Sequence, residues 1–491
     1  MALTKDYGIS LYKIFKDEAR QCLNKGNLEN AIVFIRSAAW INYNFFLTYS
    51  DEELEYYLQQ ISLSIHKQTK FVTRPNAISF VNVFSKDTQG LSIQYVEAII
   101  SAGFDLLYIY ENDLQEDSLL FSILSHAPKV KLLRLPNTIK GFEKAQWIYD
   151  SIIEYGTSRL LMQLLPDSAS ECIALYALPP EISRFQINLT DHAFWLGCGC
   201  FDYTLEFRQR GCSISTMYRG FHKDQILLLP FYPVINDVPF SGFPHQAEGA
   251  VKIFSGGASY KIMDTDDTFL RMCNEILKQN TNAVILFATK DFSGAIKKRI
   301  KQLKIDNNFI LLPFREDIAS CFRNIDIYLN TFPYGGGLMC QYAAQNAIPI
   351  LNYVNTEIEE CVNQKNSVRF TSNTKESFYQ EAYKLCQDKD YRQRKGKELH
   401  DCVISHSDFN LFFKIAISQH KTPCNISFDS FDFKLNQEAK IKALNSTDEF
   451  KVNLIRRLGL KNSLRFIPCI FLEEISYFIK AKFQYYFKAI S

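Results

Sequence analysis

The chain has 491 residues, more than one ordinary domain holds, and 47% of them are hydrophobic. This composition supplies several buried cores and excludes a disordered or fibrous protein. With 55 basic and 53 acidic residues the formal charge is only +2, so overall electrostatics do not indicate nucleic acid as a partner.

Cysteine use and hydropathy indicate the compartment. Thirteen cysteines, an odd number, lie mostly in apolar or helical segments, which favours reduced buried thiols over a disulfide framework. The first ten residues lack the apolar core of a signal peptide. No uncharged apolar run reaches the roughly 18 residues that span a bilayer. We therefore expect a cytoplasmic protein.

Residues 1–70 are predicted to form a helical N-terminal cap. Apolar residues recur at helical spacing after a polar break at 24–27, as Ala31, Ile32 and Ile35 illustrate. The hairpin resembles one tetratricopeptide unit, which is too few for an array. The segment is expected either to cap the body or to mediate a homo-oligomer.

Two blocks of alternating strands and helices follow, and such alternation predicts parallel α/β sheets. Residues 71–240 are expected to form an N-terminal Rossmann-like domain and residues 241–400 a C-terminal one, with a Pro- and Gly-rich linker at 230–244. Two doubly wound domains of this kind are expected to face a cleft and to bind ligands beyond the carboxyl ends of their strands. The predicted strands are 77–84, 105–110, 130–135, 160–165 and 185–189, then 251–254, 283–288, 309–312, 325–329 and 348–352.

The strongest local signal is a strand that runs into Tyr334, Gly335, Gly336 and Gly337 and is followed directly by a helix. Glycine lets a ligand approach the backbone, and a helix N-terminus offers free N–H groups with a partial positive charge. The pattern favours a diphosphate site over its alternative, a tight turn that binds nothing.

Residues 330–352, with Phe-Pro-Tyr-Gly-Gly-Gly, a helix, Ala-Ile-Pro and a strand, resemble the nucleotide-sugar site of GT-B glycosyltransferases. The resemblance is greatest to the branch that holds O-GlcNAc transferase and the bacterial HMW1C-like enzymes. It implies two Rossmann-like domains, with the sugar nucleotide held mainly by the C-terminal one. The first of the two predicted domains is then the acceptor domain and the second the nucleotide-sugar domain. That branch usually has a Thr pair and a Glu early in this helix, whereas this chain has Met339-Cys340 and Gln341-Tyr342. Gln341 is then expected to hydrogen-bond a ribose or phosphate oxygen.

The loop that opens the C-terminal domain is a second candidate for the diphosphate. In the GT-B pattern this loop packs near the diphosphate, often with a Lys or Arg that reaches it. Lys261 is the matching cation, preceded by Ser255, Gly256 and Gly257. Charge-assisted hydrogen bonds to a diphosphate are strong polar contacts. The alternative is a flexible loop with an exposed lysine.

The resemblance also implies that the loop after the strand at 309–312 lines the pocket for the base, and it favours uridine as the nucleoside. Phe314 and Arg315 are the candidates to stack on the base. The alternative places the phenylalanine in the core and the arginine in solvent.

His192 is the candidate catalytic base. An inverting sugar transfer needs a group that takes the acceptor proton, and histidine suits this role near neutral pH. Asp191 stands beside it and would orient it. The alternative is a structural histidine. Asp202 and Glu206 are reserve carboxylates, both expected to be solvated.

The acceptor is expected to enter near Thr88, Gln89 and Gly90 and near Trp195. No metal is expected, although His192 has three cysteines near it in the sequence. Those cysteines lack the paired spacing of a structural zinc site, and GT-B enzymes generally need no metal. The acidic run 264–267 precedes a helix and is interpreted as capping.

Residues 401–491 are predicted to be a helical extension with a basic amphipathic tail. Eight Lys or Arg and two Glu give residues 451–491 a net charge of +6. Such a helix either lies in a membrane interface at the inner face or docks onto the body. Its apolar residues are Phe471, Ile475, Phe478, Ile479, Phe483, Phe487 and Ile490.

Together these signals predict a metal-independent glycosyltransferase that moves a sugar from a nucleotide diphosphate, expected to be UDP-linked, to a glycan, lipid-linked glycan or protein. The glycine loop and Lys261 would stabilise the departing diphosphate. Two alternatives share the architecture: a sugar-nucleotide epimerase, and a non-catalytic GT-B scaffold subunit, which the missing Glu favours.

Overall fold

The computed structural model describes residues 2–68, 71–83, 90–111, 114–234, 238–262, 264, 266–290, 294–354, 356–428, 441, 444–445 and 449–476. These residues form two compact units. Unit 1 comprises the described residues of Met1–Asp87, Tyr95–Leu229 and Phe412–Ser491, and unit 2 those of Thr88–Gln94 and Pro230–Leu411.

Unit 1 begins with the three predicted helices, α1 (Lys5–Asn24), α2 (Leu28–Phe45) and α3 (Glu52–Ser62). Each helix begins at a residue whose side chain accepts a backbone N–H of the first turn: Thr4, Asn27 and Asp51. The apolar faces of these helices lie in the same core as the sheet of unit 1.

The sheet of unit 1 has seven parallel strands in the order β3-β2-β1-β4-β5-β6-β7. The direction of winding reverses between β1 and β4, which pair in register from Ile78 and Arg159. This is the Rossmann type of strand order. The strands are β1 (Ala77–Asn82), β2 (Asp105–Tyr110), β3 (Val130–Arg134), β4 (Arg159–Gln163), β5 (Ser183–Asn188), β6 (Tyr203–Glu206) and β7 (Ile226–Leu228), and the helices are α4 (Leu91–Ser101), α5 (Leu119–His126), α6 (Gly141–Glu154), α7 (Ala169–Ala177) and α8 (Gln209–Tyr218).

The sheet of unit 2 has six parallel strands in the order β10-β9-β8-β11-β12-β13, with the reversal between β8 and β11. The acidic run before α9 acts as predicted, because the Asp264 carboxylate accepts the Thr268 N–H at 2.7 Å. The strands are β8 (Val251–Gly256), β9 (Ala283–Ala288), β10 (Phe309–Leu312), β11 (Ile327–Leu329), β12 (Ile350–Tyr353) and β13 (Thr371–Ser372), and the helices are α9 (Thr268–Gln279), α10 (Gly294–Leu303), α11 (Ile318–Phe322), α12 (Gly337–Gln345), α13 (Glu357–Val362), α14 (Lys375–Gln387), α15 (Lys389–His400) and α16 (His406–Gln419).

The C-terminal segment returns to unit 1 through a helix α17 (Glu449–Phe466), which is kinked at Gly459. Phe450, Leu454 and Leu458 are buried in the core shared with α1 and α2. Arg457 donates two hydrogen bonds to the buried Asp167, at 2.8 and 3.2 Å. This part of the tail therefore docks onto the body.

The amphipathic pattern continues beyond the described residues. Phe471 is buried and Ile475 exposed, whereas Phe478, Ile479, Phe483, Phe487 and Ile490 lie outside the described part of the chain. Among the described residues, none of the helices combines the length and apolarity needed to cross a membrane. Contact of the tail with a membrane surface, and a homo-oligomer through the N-terminal helices, stay predictions.

Candidate functional site

The reversal of strand order in unit 2 brings two predicted loops to one edge of the sheet. Strands β8 and β11 pair in parallel, with Phe254 opposite Tyr328. The loops 256–261 and 330–337 follow the carboxyl ends of these two strands. The crevice between the first strands of the two halves is where doubly wound sheets bind ligands.

A row of amide side chains fixes the glycine loop. The Oδ1 atom of Asn330 accepts the Gly336 N–H at 2.9 Å, and its Nδ2 atom donates to Oδ1 of Asn352 at 2.9 Å. Asn352 in turn donates from Nδ2 to the Thr371 hydroxyl at 2.8 Å. The row runs from the residue after β11 through β12 to β13, so the sheet itself positions the loop. Neither asparagine was predicted from the sequence, although Asn330, directly after a buried strand, was a visible signal.

Two of the three glycines are required by packing. A Cβ on Gly335 would lie 2.8 Å from Cδ1 of Ile358, and one on Gly337 would lie 2.7 Å from Sγ of Cys361. Real Cβ atoms do not approach other atoms this closely, so helix α13 leaves no room for side chains at these two positions.

Gly336 is different, because a Cβ there would make only ordinary van der Waals contacts. A Cβ there would meet nothing nearer than Met339 at 3.6 Å and the Lys261 Nζ atom at 3.8 Å. The first intrahelical bond of α12 runs from the Cys340 N–H to the Gly336 carbonyl, so the N–H groups of 337–339 have no partner inside the helix. The Asn330 side chain accepts the N–H of the N-cap residue Gly336, and within the described residues no side chain accepts the N–H groups of 337–339. The backbone at Gly336 therefore lies beside a lysine and three N–H groups without a side-chain partner.

Lys261 ends a short turn (Ser259–Lys261) after β8. Its carbonyl accepts the Tyr334 N–H at 3.4 Å, which joins the two loops. Burial lowers the pKa of the Lys261 ammonium, and the nearby Cys340 thiol opposes that shift. No described carboxylate forms an ion pair with Lys261. A desolvated cation beside the N–H groups of 337–339 at a helix N-terminus is an arrangement that an anion satisfies.

The other residues predicted for the donor lie below this crevice. Ser255 and Gly256 are buried at the end of β8, where a Cβ on Gly256 would lie 3.0 Å from the Ala288 carbonyl oxygen. Gln341 is 1% exposed, and its Nε2 atom donates to the carbonyls of Phe231 and Cys361 at 2.9 Å. These side chains hold the α12 region together, while Gly257 lies nearer the lysine, with its Cβ position 3.1 Å from Cδ of Lys261.

Phe314 and Arg315, predicted for the base, occupy different environments. Phe314 is 54% exposed, with the Lys290 ammonium 4.2 Å from its ring centre, so it is not a core residue. Arg315 is buried and donates to both carboxylate oxygens of Asp317 at 2.7 and 2.6 Å. Burial alone would raise the pKa of Asp317, but the arginine lowers it to about 2. Of these two residues, only Phe314 has an exposed side chain on which a base could stack.

In unit 1, the predicted base lies at the tip of a turn after β5. The Ala193 N–H donates to the Thr190 carbonyl, and the His192 side chain between them is 51% exposed. Its Nδ1 atom lies 3.5 Å from Oδ1 of Asp191. Asp191 is fully buried and accepts two hydrogen bonds from Arg208, at 2.5 and 2.9 Å. Although burial opposes it, this arginine holds the pKa of Asp191 well below its ordinary value.

Glu206 corrects an expectation, because it is buried rather than solvated. Its carboxylate accepts hydrogen bonds of 2.6 to 3.0 Å from Asn188, Thr204 and Ser215. Burial raises its pKa. Asp202, the other reserve carboxylate, is partly exposed and accepts hydrogen bonds from an arginine on β5.

The residues predicted for the acceptor are only partly described. Thr88 and Gln89 lie outside the described residues. Gly90 has a φ of +71°, and a Cβ there would lie 2.5 Å from Cβ of Val234, so backbone conformation and packing both favour glycine. Trp195 is 1% exposed and packs within the core of unit 1, which leaves it no surface for an acceptor.

Metal ligands are not gathered at these sites. Within the described ranges, no three or more His, Cys, Asp or Glu side chains are arranged to hold a metal ion. None of the thirteen cysteines, all of which are described, forms a disulfide bond, and only Cys469 is exposed.

No protein-family model matches the sequence, and no curated protein matches it. Solved structures are similar to it. An O-GlcNAc transferase mutant of Thermobaculum terrenum is 12% identical, with a TM-score of 0.50 over 83% of each chain. Anabaena HepE in complex with UDP-glucose is 10% identical, with a TM-score of 0.50 over 70% of this chain and 99% of its own. A putative UDP-N-acetylglucosamine 2-epimerase from Listeria monocytogenes is 10% identical, with a TM-score of 0.50 over 73% of this chain and 100% of its own.

Identities this low show the fold alone. The two parallel sheets in Rossmann order, each with a reversal after its first three strands, agree with these neighbours. The chain therefore has the GT-B fold that the sequence predicted.

Proposed function

We propose that this protein is a glycosyltransferase that moves a sugar from a UDP-linked donor to a glycan or protein acceptor. The observation that carries the proposal is the close approach of the Lys261 ammonium to the unhindered backbone at Gly336, where the N–H groups of 337–339 begin α12. The GT-B fold supports it, because the structurally similar proteins include an O-GlcNAc transferase and a HepE structure that contains UDP-glucose.

The proposed chemistry uses the positive charge of this crevice. When the bond between the sugar and the diphosphate breaks, negative charge grows on the departing diphosphate. Lys261 and the α12 N-terminus would stabilise that charge, and the burial of Lys261 strengthens the interaction because less water screens it. The proposed transfer is metal-independent, since a lysine and a helix N-terminus supply the charge that a metal ion would otherwise provide.

His192 is the proposed base. Its exposed imidazole is the part of the turn that an acceptor hydroxyl or amide can reach, while Asp191 remains buried beneath it and paired with Arg208. In this role the imidazole takes the acceptor proton as the acceptor atom attacks the anomeric carbon.

The test is nucleotide binding by calorimetry, with UDP and a panel of UDP-sugars. We expect UDP to bind the wild type and to raise its melting temperature, and Lys261→Met to reduce the affinity at least about tenfold because a charge-assisted contact is lost. Lys301→Met, which removes an exposed lysine on α10, is the matched control and should bind normally. If both variants bind alike, the donor site at Lys261 is refuted. If no nucleotide binds the folded wild type, the proposed function is refuted and the scaffold alternative is favoured.

A sugar-nucleotide epimerase is the second candidate, favoured by the structural likeness to the putative Listeria epimerase. Product analysis with the donor alone separates the two enzymes. An epimerase converts the donor to a new sugar without an acceptor, whereas a transferase gives only slow hydrolysis until an acceptor is added.

A further inference from the structure

The turn that carries His192 rests on a second buried arginine, which the sequence analysis did not single out. Arg219 follows α8 and is 4% exposed. One of its terminal nitrogens, Nη2, donates to the carbonyls of Thr190, Asp191 and Ala193 at 3.2, 2.9 and 2.7 Å. The three accepting carbonyls bracket His192 on both sides.

The guanidinium group is itself held in place. Its centre lies 5.4 Å from the ring centre of Tyr49 and 5.2 Å from that of Trp195, both within cation–π range. Its other terminal nitrogen donates to the Ser215 hydroxyl at 3.2 Å, and that hydroxyl donates to Glu206 at 2.6 Å. This packing explains why Trp195 is buried.

The carbonyl contacts of Arg219 are concentrated on this one turn. A charged donor that binds successive carbonyls fixes the backbone on both sides of the exposed residue, and Arg208 fixes the neighbouring carboxylate separately. The only side chain of the turn that remains exposed is the imidazole, since Asp191 and Ala193 are buried and Thr190 is partly buried.

We propose that Arg219 is a positioning residue for His192, which fixes the turn 190–193 so that the imidazole is presented in one orientation. The inference rests on the proposed function, because it assigns catalytic value to that orientation. Arg219 touches no substrate in this scheme and acts through the backbone alone. A small displacement of a catalytic group costs up to about a hundredfold in rate.

The test is a double-mutant cycle with Arg219→Lys and His192→Ala. Lysine keeps the charge but lacks the planar guanidinium. We expect Arg219→Lys to lower kcat by about ten- to a hundredfold at an unchanged KM for the donor, and to cost nothing further in the His192→Ala background. An equal loss in both backgrounds shows a merely structural role and overturns the proposal.

Hydrogen exchange gives a readout that needs no activity. The amides of Thr190 and Ala193 are hydrogen-bonded in the turn, and Arg219→Lys should speed their exchange. Arg184→Lys, at the partly exposed Arg184–Asp202 ion pair of the same sheet, should leave it unchanged. Unaltered exchange in Arg219→Lys overturns the proposal. If His192→Ala has the kcat of the wild type and UDP still binds, the positioning role is refuted while the donor site stands. If UDP does not bind the wild type, the proposed function itself is refuted.

Discussion

The three consecutive glycines should respond differently to the same small change. A methyl group at Gly335 would lie 2.7 Å from Nδ2 of Asn330 and 2.8 Å from Cδ1 of Ile358. Overpacking of this kind costs about 1–3 kcal/mol. At Gly336 the backbone has φ −119° and ψ 95°, which alanine adopts, and the nearest atom lies at 3.6 Å. Alanine is a poorer N-cap residue than glycine, which destabilises the variant, but it lowers the entropy of the unfolded chain, which stabilises it. The free energy of unfolding should therefore change by less than about 0.5 kcal/mol.

Binding should show the reverse order. A phosphoryl oxygen bound to Lys261 needs to lie about 2.7–2.9 Å from its Nζ atom, and a methyl on Gly336 would occupy space 3.8 Å from that atom. We expect Gly336→Ala to weaken UDP binding at least tenfold, about 1.4 kcal/mol. The urea concentration at the midpoint of its unfolding should equal that of the wild type.

The assay pairs calorimetry with urea unfolding for Gly335→Ala, Gly336→Ala and the wild type. Gly335→Ala is the matched control, because it adds the same methyl group one residue away and should lower the unfolding midpoint. Wild-type affinity in Gly336→Ala would refute the reasoning, since the space beside Lys261 would then not be where a phosphate binds.

Three further predictions concern ionisable groups. Because burial lowers the pKa of Lys261 below its ordinary 10.5 and a bound diphosphate favours the charged form, affinity for UDP should fall as pH rises through that lowered pKa; calorimetry of Lys261→Met should show a flatter profile. The pKa of Asp191 is lowered in the folded protein, so ionised Asp191 stabilises the fold at pH values above its ordinary pKa of 3.8, and this stabilisation is lost as the pH falls below that value. Arg208→Met, which leaves the buried carboxylate unpaired, should lower the free energy of unfolding by about 3–5 kcal/mol at pH 7, as measured by urea unfolding. The pH dependence at Glu206 runs the other way, because burial raises its pKa in the folded protein. Its contribution to stability is present below its ordinary pKa of 4.5 and is lost as the pH rises through the raised pKa. The free energy of unfolding of the wild type, relative to that of Glu206→Gln, should therefore decline over this pH range.

The sheets were predictable because their strands carry strong local signals. Every predicted strand is present, since runs such as 283–288 are apolar throughout and end at turn residues. Strands β6, β7 and β13, which have only two to four residues, were not predicted. Strands this short are stabilised by pairing with neighbours rather than by their own pattern.

Only the part of the site that depends on backbone geometry could be predicted from the sequence. A strand, glycines and a helix in direct succession placed Gly336 at a helix N-terminus, and one lysine after the first strand placed Lys261 beside it. Buried networks gave no such signal. Arg219 binds carbonyls 26 to 29 residues away, and nothing near an arginine in a sequence tells whether it lies in solvent or beneath a turn.

The return of the C-terminal segment to unit 1 has a consequence for synthesis. Leu454 and Leu458 complete a core whose other side chains, such as Phe15 and Phe34, belong to the first two helices. On the ribosome all of Pro230–Leu411 emerges before these leucines do. The nascent chain can therefore finish the sheet of unit 2 first, while the apolar surface that these leucines cover on the first helices stays exposed until α17 has been made.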